Sequence, residues 1–277
     1  MEDQAPLAPP ISLANLKPAK AEPKPPIILL YGVQGIGKSS FAADAPNPVM
    51  VDAEDGLHSI PVVKTPLLTS YADLMQFIQE LYTGKHDFKT VVLDTLDAIE
   101  PLIQAEACRR NDWPDIEKAG YGKGYLAAAE IFRTELLPGL RALRDDRGMI
   151  VVMTAHAITK TVNDPTADSF DRWQPRLDKR LGEIVLDNAD VIAFGAWKVT
   201  TVKAETKFGQ KKTKAIGDGT RVLYLSDRPT HVSKTRYRMP PELPLDWDAF
   251  FEALNEAMTT VNKPKAAKEP TDGEAES

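Results

Sequence analysis

The sequence is poor in features that would mark several large protein classes. One cysteine, Cys108, stands among 277 residues, so an internal disulfide framework is excluded and a reducing cytoplasm is the expected setting. Set among apolar helix positions, it reads as a small buried hydrophobe. No stretch approaches the roughly 18 uninterrupted apolar residues of a membrane helix. The opening residues are acidic and proline-rich, not basic and then apolar, so no secretory leader is expected. Excess positive charge is also lacking. Lysine and arginine number 34 against 40 aspartates and glutamates, a net charge of −6. Binding to nucleic acid would therefore rest on local basic patches and be sensitive to salt. Zinc-ligand spacing, a DNA-recognition helix and internal repeats are all missing.

What is present suits a globular α/β core, 43% hydrophobic and 27% charged. The length suffices for one large domain or two small ones. Residues 1–26 hold seven of the 22 prolines and read as a disordered arm. The stretch 262–277 reads as a disordered tail, with only acidic charges from Glu269 onward. Between them, in 27–261, apolar runs alternate with helical patterns, as in a parallel sheet covered by helices. Strands are expected at Ile27–Tyr31, Val49–Asp52, Val91–Asp94 and Met149–Thr154. Helices are expected from Lys38 to about Ala45, over Ser70–Tyr82, from Asp94 to about Cys108 and from Gly124 to Asp145, the last bent at Pro138. Residues 109–122 and 158–178 read as loops, the second long enough to suggest function. After a short helix near Leu181–Asn188 the pattern turns to strands, at Val191–Trp197, Arg221–Leu225 and His231–Thr235. A helix over Asp246–Val261 closes the core.

One motif carries chemistry directly. Gly32-Val33-Gln34-Gly35-Ile36-Gly37-Lys38-Ser39, with Ser40 next, follows an apolar strand and opens a helix. In that setting glycines let backbone N–H groups curl around phosphates at the positive end of a helix dipole. Lys38 would reach the β and γ phosphates of ATP, and Ser39 would hold Mg²⁺. Asp94, at the end of Val91-Val92-Leu93, has the position of a second Mg²⁺ ligand. Its simpler alternative is a helix cap.

The second strand ends in Asp52-Ala53-Glu54. Here the chain resembles the RecA-type ATPase core shared by recombinases and hexameric replicative helicases. The resemblance covers 27 to about 240, lacks the extra terminal domains of RecA, and extends to the minimal phage-encoded annealing proteins. It implies that Glu54 activates the attacking water, with an acidic turn as the plainer alternative. It implies a γ-phosphate sensor at His156, where the family commonly has glutamine; the alternative is a capping histidine. It implies that Lys234 and Arg236 reach a neighbouring subunit's γ-phosphate, or else are exposed cations on a strand. Two DNA-facing loops follow from the same likeness. One would offer Arg109, Arg110, Trp113 and Lys123, the other Arg172, Trp173 and Arg176, mixtures of cation and aromatic that suit single-stranded DNA. Six lysines against one glutamate in 198–214 form a third patch, though such runs are often solvated faces.

The expectation is thus an α/β, RecA-like P-loop ATPase using ATP and Mg²⁺, forming a homo-oligomeric ring or filament on single-stranded DNA. It would act in annealing or strand exchange in the cytoplasm of a bacterial host, with a single-strand-binding protein as a further partner and no membrane. Two other readings stay open: a nucleotide-gated scaffold without DNA-coupled turnover, and a small-molecule P-loop kinase.

Overall fold

In the computed structural model, residues 23–163, 168–205 and 211–260 are described; side chains of 200–216, 218 and 260 are not. Most of the 1–26 arm and all of the 262–277 tail lie outside those residues.

The strands are β1 Ile27–Gly32, β2 Pro48–Asp52, β3 Val63–Lys64, β4 Thr90–Asp94, β5 Ile150–Val162, β6 Phe170–Pro175, β7 Val191–Glu205, β8 Lys211–Tyr224, β9 Lys234–Thr235 and β10 Glu242–Pro244. The helices are α1 Lys38–Ala43, α2 Tyr71–Thr83, α3 Leu96–Arg110, α4 Lys123–Ile131, α5 Leu137–Asp145, α6 Lys179–Asn188 and α7 Trp247–Thr260. The sheet runs β10-β8-β7-β1-β5-β4-β2-β3. From β7 through β1 to β3 every neighbouring pair is parallel. The β7–β8, β8–β10, β5–β6 and β7–β9 pairs are antiparallel.

β1 is buried along its whole length, which is why it reads as an unbroken apolar run and not as an alternating one. Its side chains still alternate between two cores. Ile27, Leu29 and Tyr31 face the core under α2 to α6, and Ile28 and Leu30 face the core under α1 and α7. Leu96, Ile99, Ile103 and Ala107 of α3, at helical spacing, pack into the first core. Phe41 of α1 meets Trp247 and Phe250 of α7 edge-on in the second.

Four expectations need correction. The loop expected at 158–178 is, in its described residues, an antiparallel hairpin: β5 continues past the core to Val162 and pairs with β6 from Ala157↔Pro175 to Val162↔Phe170. Beyond Ala155 the strand leaves the core, so burial no longer imposes an apolar pattern. The lysine-rich 198–214 likewise extends β7 and β8 as a hairpin, paired out to Glu205↔Lys211. The helix expected over Gly124–Asp145 is divided by a π-helical segment, Phe132–Leu136. Pro138 has no N–H to donate to the carbonyl one turn earlier, and the chain widens there. The strand expected at His231–Thr235 shortens to the two residues of β9. Ser70 caps α2 as expected, accepting from the Asp73 N–H at 3.1 Å.

Candidate active site

Parallel strands deliver their C-terminal ends to one edge of the sheet, and β1, β2, β4 and β5 do so here. Gly32 ends β1 beside Gly195 of β7 and His156 of β5. A Cβ on Gly32 would fall 2.4 Å from the Gly195 carbonyl oxygen, so the neighbouring backbone requires glycine. Gly35 and Gly37 adopt φ of 73° and 105°, the left-handed region where glycine costs nothing. Val33, Gln34 and Ile36 complete the turn, and Lys38, Ser39 and Ser40 open α1.

Lys38 is buried, and its Nζ has only the Gly32 and Val33 carbonyls near it, each at 3.4 Å. Burial pulls its pKa below the ordinary lysine value, offset in part by Asp94, Asp97 and Glu54. A buried ammonium with two long contacts suits a site that receives phosphate. Ser39 Oγ donates to Asp94 Oδ2 at 2.8 Å, and the other Asp94 oxygen accepts from Thr154. Burial raises the Asp94 pKa, against the pull of those two hydroxyls. A hydroxyl and a carboxylate touching at the mouth of a phosphate loop are the hard oxygen donors that Mg²⁺ takes. Ser39 and Asp94 therefore fit the ion, and the loop fits a nucleotide triphosphate.

Glu54 follows β2, where the Ala53 N–H donates to the Asp94 carbonyl at 3.0 Å. Its carboxylate accepts from Thr95 Oγ1 at 2.6 Å and lies 3.6 Å from His156 Nδ1. The preceding Asp52 is a different kind of group, buried and paired with Lys64 at 2.6 Å.

Two residues that the sequence reading left without a role complete the cluster. Asp97, in the first turn of α3, accepts from the His156 backbone N–H at 2.9 Å and from Nδ1 at 2.8 Å. With Nδ1–H donating there, His156 keeps Nε2 for another partner. Arg176, at the foot of the β5–β6 hairpin, donates through Nε to the same Asp97 oxygen at 3.1 Å. Burial pushes the Asp97 pKa up, but the bonds from His156 and Arg176 outweigh it and hold the carboxyl below its usual value. Arg221 of β8 is the second unread residue. Its guanidinium lies 3.4 Å from the Ile36 carbonyl and fills the space beside Gly37. No local signal marks Asp97 or Arg221, since the Asp97 partner Arg176 is distant in sequence and Arg221 sits in an ordinary strand.

The other expected residues lie elsewhere. Lys234 donates to the Leu186 carbonyl at 2.6 Å, and Arg236 pairs with Asp190 at 3.1 Å and approaches the Asp187 carbonyl. Both cover the C-terminus of α6. Asp190 also accepts from the Ile27 N–H, so this is the opposite end of the sheet from the phosphate loop. Arg109 and Arg110 end α3 in ion pairs with Glu106, and Arg110 also pairs with Glu135. Along α3 they stand about 20 Å from Asp97. Trp113 follows that helix, its N–H on the Cys108 carbonyl, and Lys123 starts α4. Arg172 pairs with Asp227, and Trp173 stacks on Phe194. Of the residues expected to meet DNA, the structure thus brings Arg176 to the phosphate site and spreads the rest over two separate regions. Among the described residues, no helix is long and apolar enough to cross a membrane.

The chain is similar to several known proteins. The chain is 24% identical over 172 residues to the SPbeta prophage-derived uncharacterized protein YorG of Bacillus subtilis (strain 168). That match covers 61% of this chain and 50% of YorG, so the chain spans about half the length of its relative. Among solved structures it is similar to the RadB recombinase, with a TM-score of 0.41, 13% identity, and coverage of 76% of this chain and 86% of RadB. It is also similar to the flagellar accessory protein FlaH from Methanocaldococcus jannaschii, with a TM-score of 0.33, 13% identity, and coverage of 73% and 85%. The sequence profile of the AAA domain family AAA_24 matches residues 24–237, most of the chain and all of the residues just described around the phosphate loop, and the chain belongs to that family.

Proposed function

We propose that this P-loop domain hydrolyses ATP with Mg²⁺ and, as a homo-oligomer, couples that cycle to single-stranded DNA in annealing or strand exchange. The observation that carries the hydrolytic part is the placement of Glu54. Its carboxylate hydrogen-bonds to Thr95, the residue after Asp94, so a free proton acceptor lies beside the Ser39–Asp94 pair at the same strand ends.

Each residue then has a distinct task. The loop N–H groups and Lys38 grip the phosphates. Mg²⁺, when bound, neutralises phosphate charge between Ser39 and Asp94. Glu54 orients a water and takes its proton. His156, held by Asp97, offers Nε2 as the group that distinguishes the presence of a γ-phosphate. Lys234 and Arg236 are too far from their own loop to act on it, so they act only on the loop of an adjacent copy.

What supports the oligomer and the DNA is the RecA-like order of motifs and the cation-bearing hairpin that leaves the site at Arg176. Steady-state ATP hydrolysis with and without single-stranded DNA, with Lys38→Ala as control, tests the whole reading. DNA stimulation that vanishes in the variant supports it. Hydrolysis indifferent to DNA, together with no DNA binding at low salt, rejects the recombination part and leaves an ATPase.

A further inference from the structure

A nucleotide held by the phosphate loop has a direction. In the proposed function its Mg²⁺ and terminal phosphate meet Asp94, which ends β4, and Glu54, which follows β2. Both strands lie on one side of β1 in the sheet order β8-β7-β1-β5-β4-β2. The phosphate chain then runs back across β1, and the base end leaves over β7 and β8. From β4 to β7 is three strand spacings, roughly 14 Å, a span that a phosphate chain and a ribose bridge.

Two side chains stand at that end. Along β7, Val191 and Ala193 face the core under α1, while Ile192 and Phe194 face the other core. A Cβ on Gly195 would meet Leu245, Ile36 and Leu30, so Gly195 belongs to the α1 side. Trp197, two residues on, belongs there as well. Arg221 is directly opposite Trp197 in the β7–β8 pairing, and Leu223, two residues along β8, faces the core under α1. Trp197 and Arg221 are therefore neighbours on one face, at the flank of the loop. The Arg221 guanidinium touches the loop itself, 3.4 Å from the Ile36 carbonyl and 2.7 Å from where a Gly37 Cβ would stand.

The fold uses up neither group. Trp197 is 44% exposed. Arg221 is exposed, and among the described residues it makes no ion pair, only the long bond to Ile36. A single exposed tryptophan would need no explanation. This one is set beside an unpaired planar cation at the edge of a phosphate-binding loop. The guanidinium, against the loop, suits the phosphate side of a nucleoside, and the indole beside it suits a flat heteroaromatic ring.

We propose that Trp197 and Arg221 form the base end of the nucleotide site, with the base stacked on Trp197 and Arg221 on the ribose and α-phosphate. The inference deepens the phosphate-loop part of the proposed function and is independent of hydrolysis and of DNA.

The test is calorimetry of the full chain with Mg²⁺, comparing ADP with inorganic pyrophosphate, which fills the loop without a base. Wild type should bind ADP more tightly than pyrophosphate by roughly tenfold or more, as one stacked base gives. Trp197→Ala should remove about tenfold of the ADP affinity and leave pyrophosphate within about twofold, which also shows the loop intact. Trp197→Phe should recover most of the loss, because a smaller ring still stacks. Arg221→Ala should weaken ADP more than pyrophosphate. Equal wild-type affinity for the two ligands, or ADP binding unchanged in Trp197→Ala, overturns the base site and leaves the loop's hold on phosphate standing. Equal losses of both ligands in Arg221→Ala would make Arg221 a brace of the loop and remove it from the site. If wild type binds neither ligand, the phosphate-loop reading fails and the base site falls with it.

Discussion

The two halves of the sheet on either side of β1 are built differently and offer different chemistry. Toward β5, β4 and β2 the strands are parallel and end together, so short connections gather Glu54, Asp94 and His156 around one loop. Toward β7 and β8 the strands are antiparallel and run past the core as a hairpin, presenting a broad face with Trp197 and Arg221 at its root. The first arrangement makes a site of fixed distances, in which single atoms matter. The second makes a surface, in which area and charge matter. The contrast predicts that substitutions in the parallel half act on turnover, and those in the antiparallel half on binding.

The largest effect expected belongs to neither half. Arg236→Ala should lower hydrolysis on the order of 10³-fold if the residue serves a neighbouring copy. Mixing it with Glu54→Gln, each inactive alone, should restore part of the activity in steady-state assays, because each copy supplies what the other lacks. No recovery on mixing would return Arg236 to its visible role, covering the end of α6 beside Asp190.

Glu54→Gln alone should reduce kcat by about 10²- to 10³-fold while ATP affinity, measured by calorimetry, stays close to wild type. A parallel loss of affinity would mean that Glu54 holds the loop in shape and does not act on water.

A smaller, structural effect is expected from Asp97→Asn, about 2 kcal/mol of unfolding free energy at neutral pH. Its sign with pH follows from the depressed carboxyl pKa. That stabilisation is complete above the unfolded value of about 4 and is lost as pH falls through the lower folded value. Denaturant unfolding of both proteins should therefore converge on acidification. A gap that stays constant with pH would show that the carboxylate charge is not what stabilises the cluster.

The smallest effect is expected at Arg109, an exposed cation paired with Glu106 on α3. Arg109→Ala should leave the melting temperature unchanged within error, since exposed pairs contribute little. The same variant tests the DNA-facing reading of that loop. A slope of log affinity against log salt that does not move would remove Arg109 from the interface.

How legible all this was depends on burial. The phosphate loop and the four central parallel strands could be read because burial on both faces forces apolar runs, and because glycine is required where backbone approaches backbone, as at Gly32 beside the Gly195 carbonyl. The β5–β6 hairpin was not legible, since Thr159, Thr161 and Asp171 are exposed and backbone pairing leaves no trace in side-chain polarity. Asp97, and the part Arg176 plays beside it, were not legible for another reason. Their meaning lies in a contact between α3 and the end of β6, and neither local sequence hints at a partner. His156 was placed at the right strand end by position, while its carboxylate partner needed coordinates. The division of the long helix could be read only in part: Pro138 announced a disturbance, but its form as a π-helical segment depends on how the carbonyls ahead of it are accommodated.

β5 is one unbroken strand from Thr154, bonded to Asp94, through His156 to Val162 in the hairpin. At about 3.3 Å per residue, its outer part reaches some 20 Å beyond His156. A paired two-stranded ribbon of that length is stiff along its axis and has no glycine in its described residues at which to fold. With ATP bound, such a ribbon would act as a lever whose short arm ends beside the phosphate loop. A tilt of a few degrees at His156 would arrive at the far end as a displacement on the order of an ångström, enough to change which surfaces there can meet a strand of DNA or another copy of the chain.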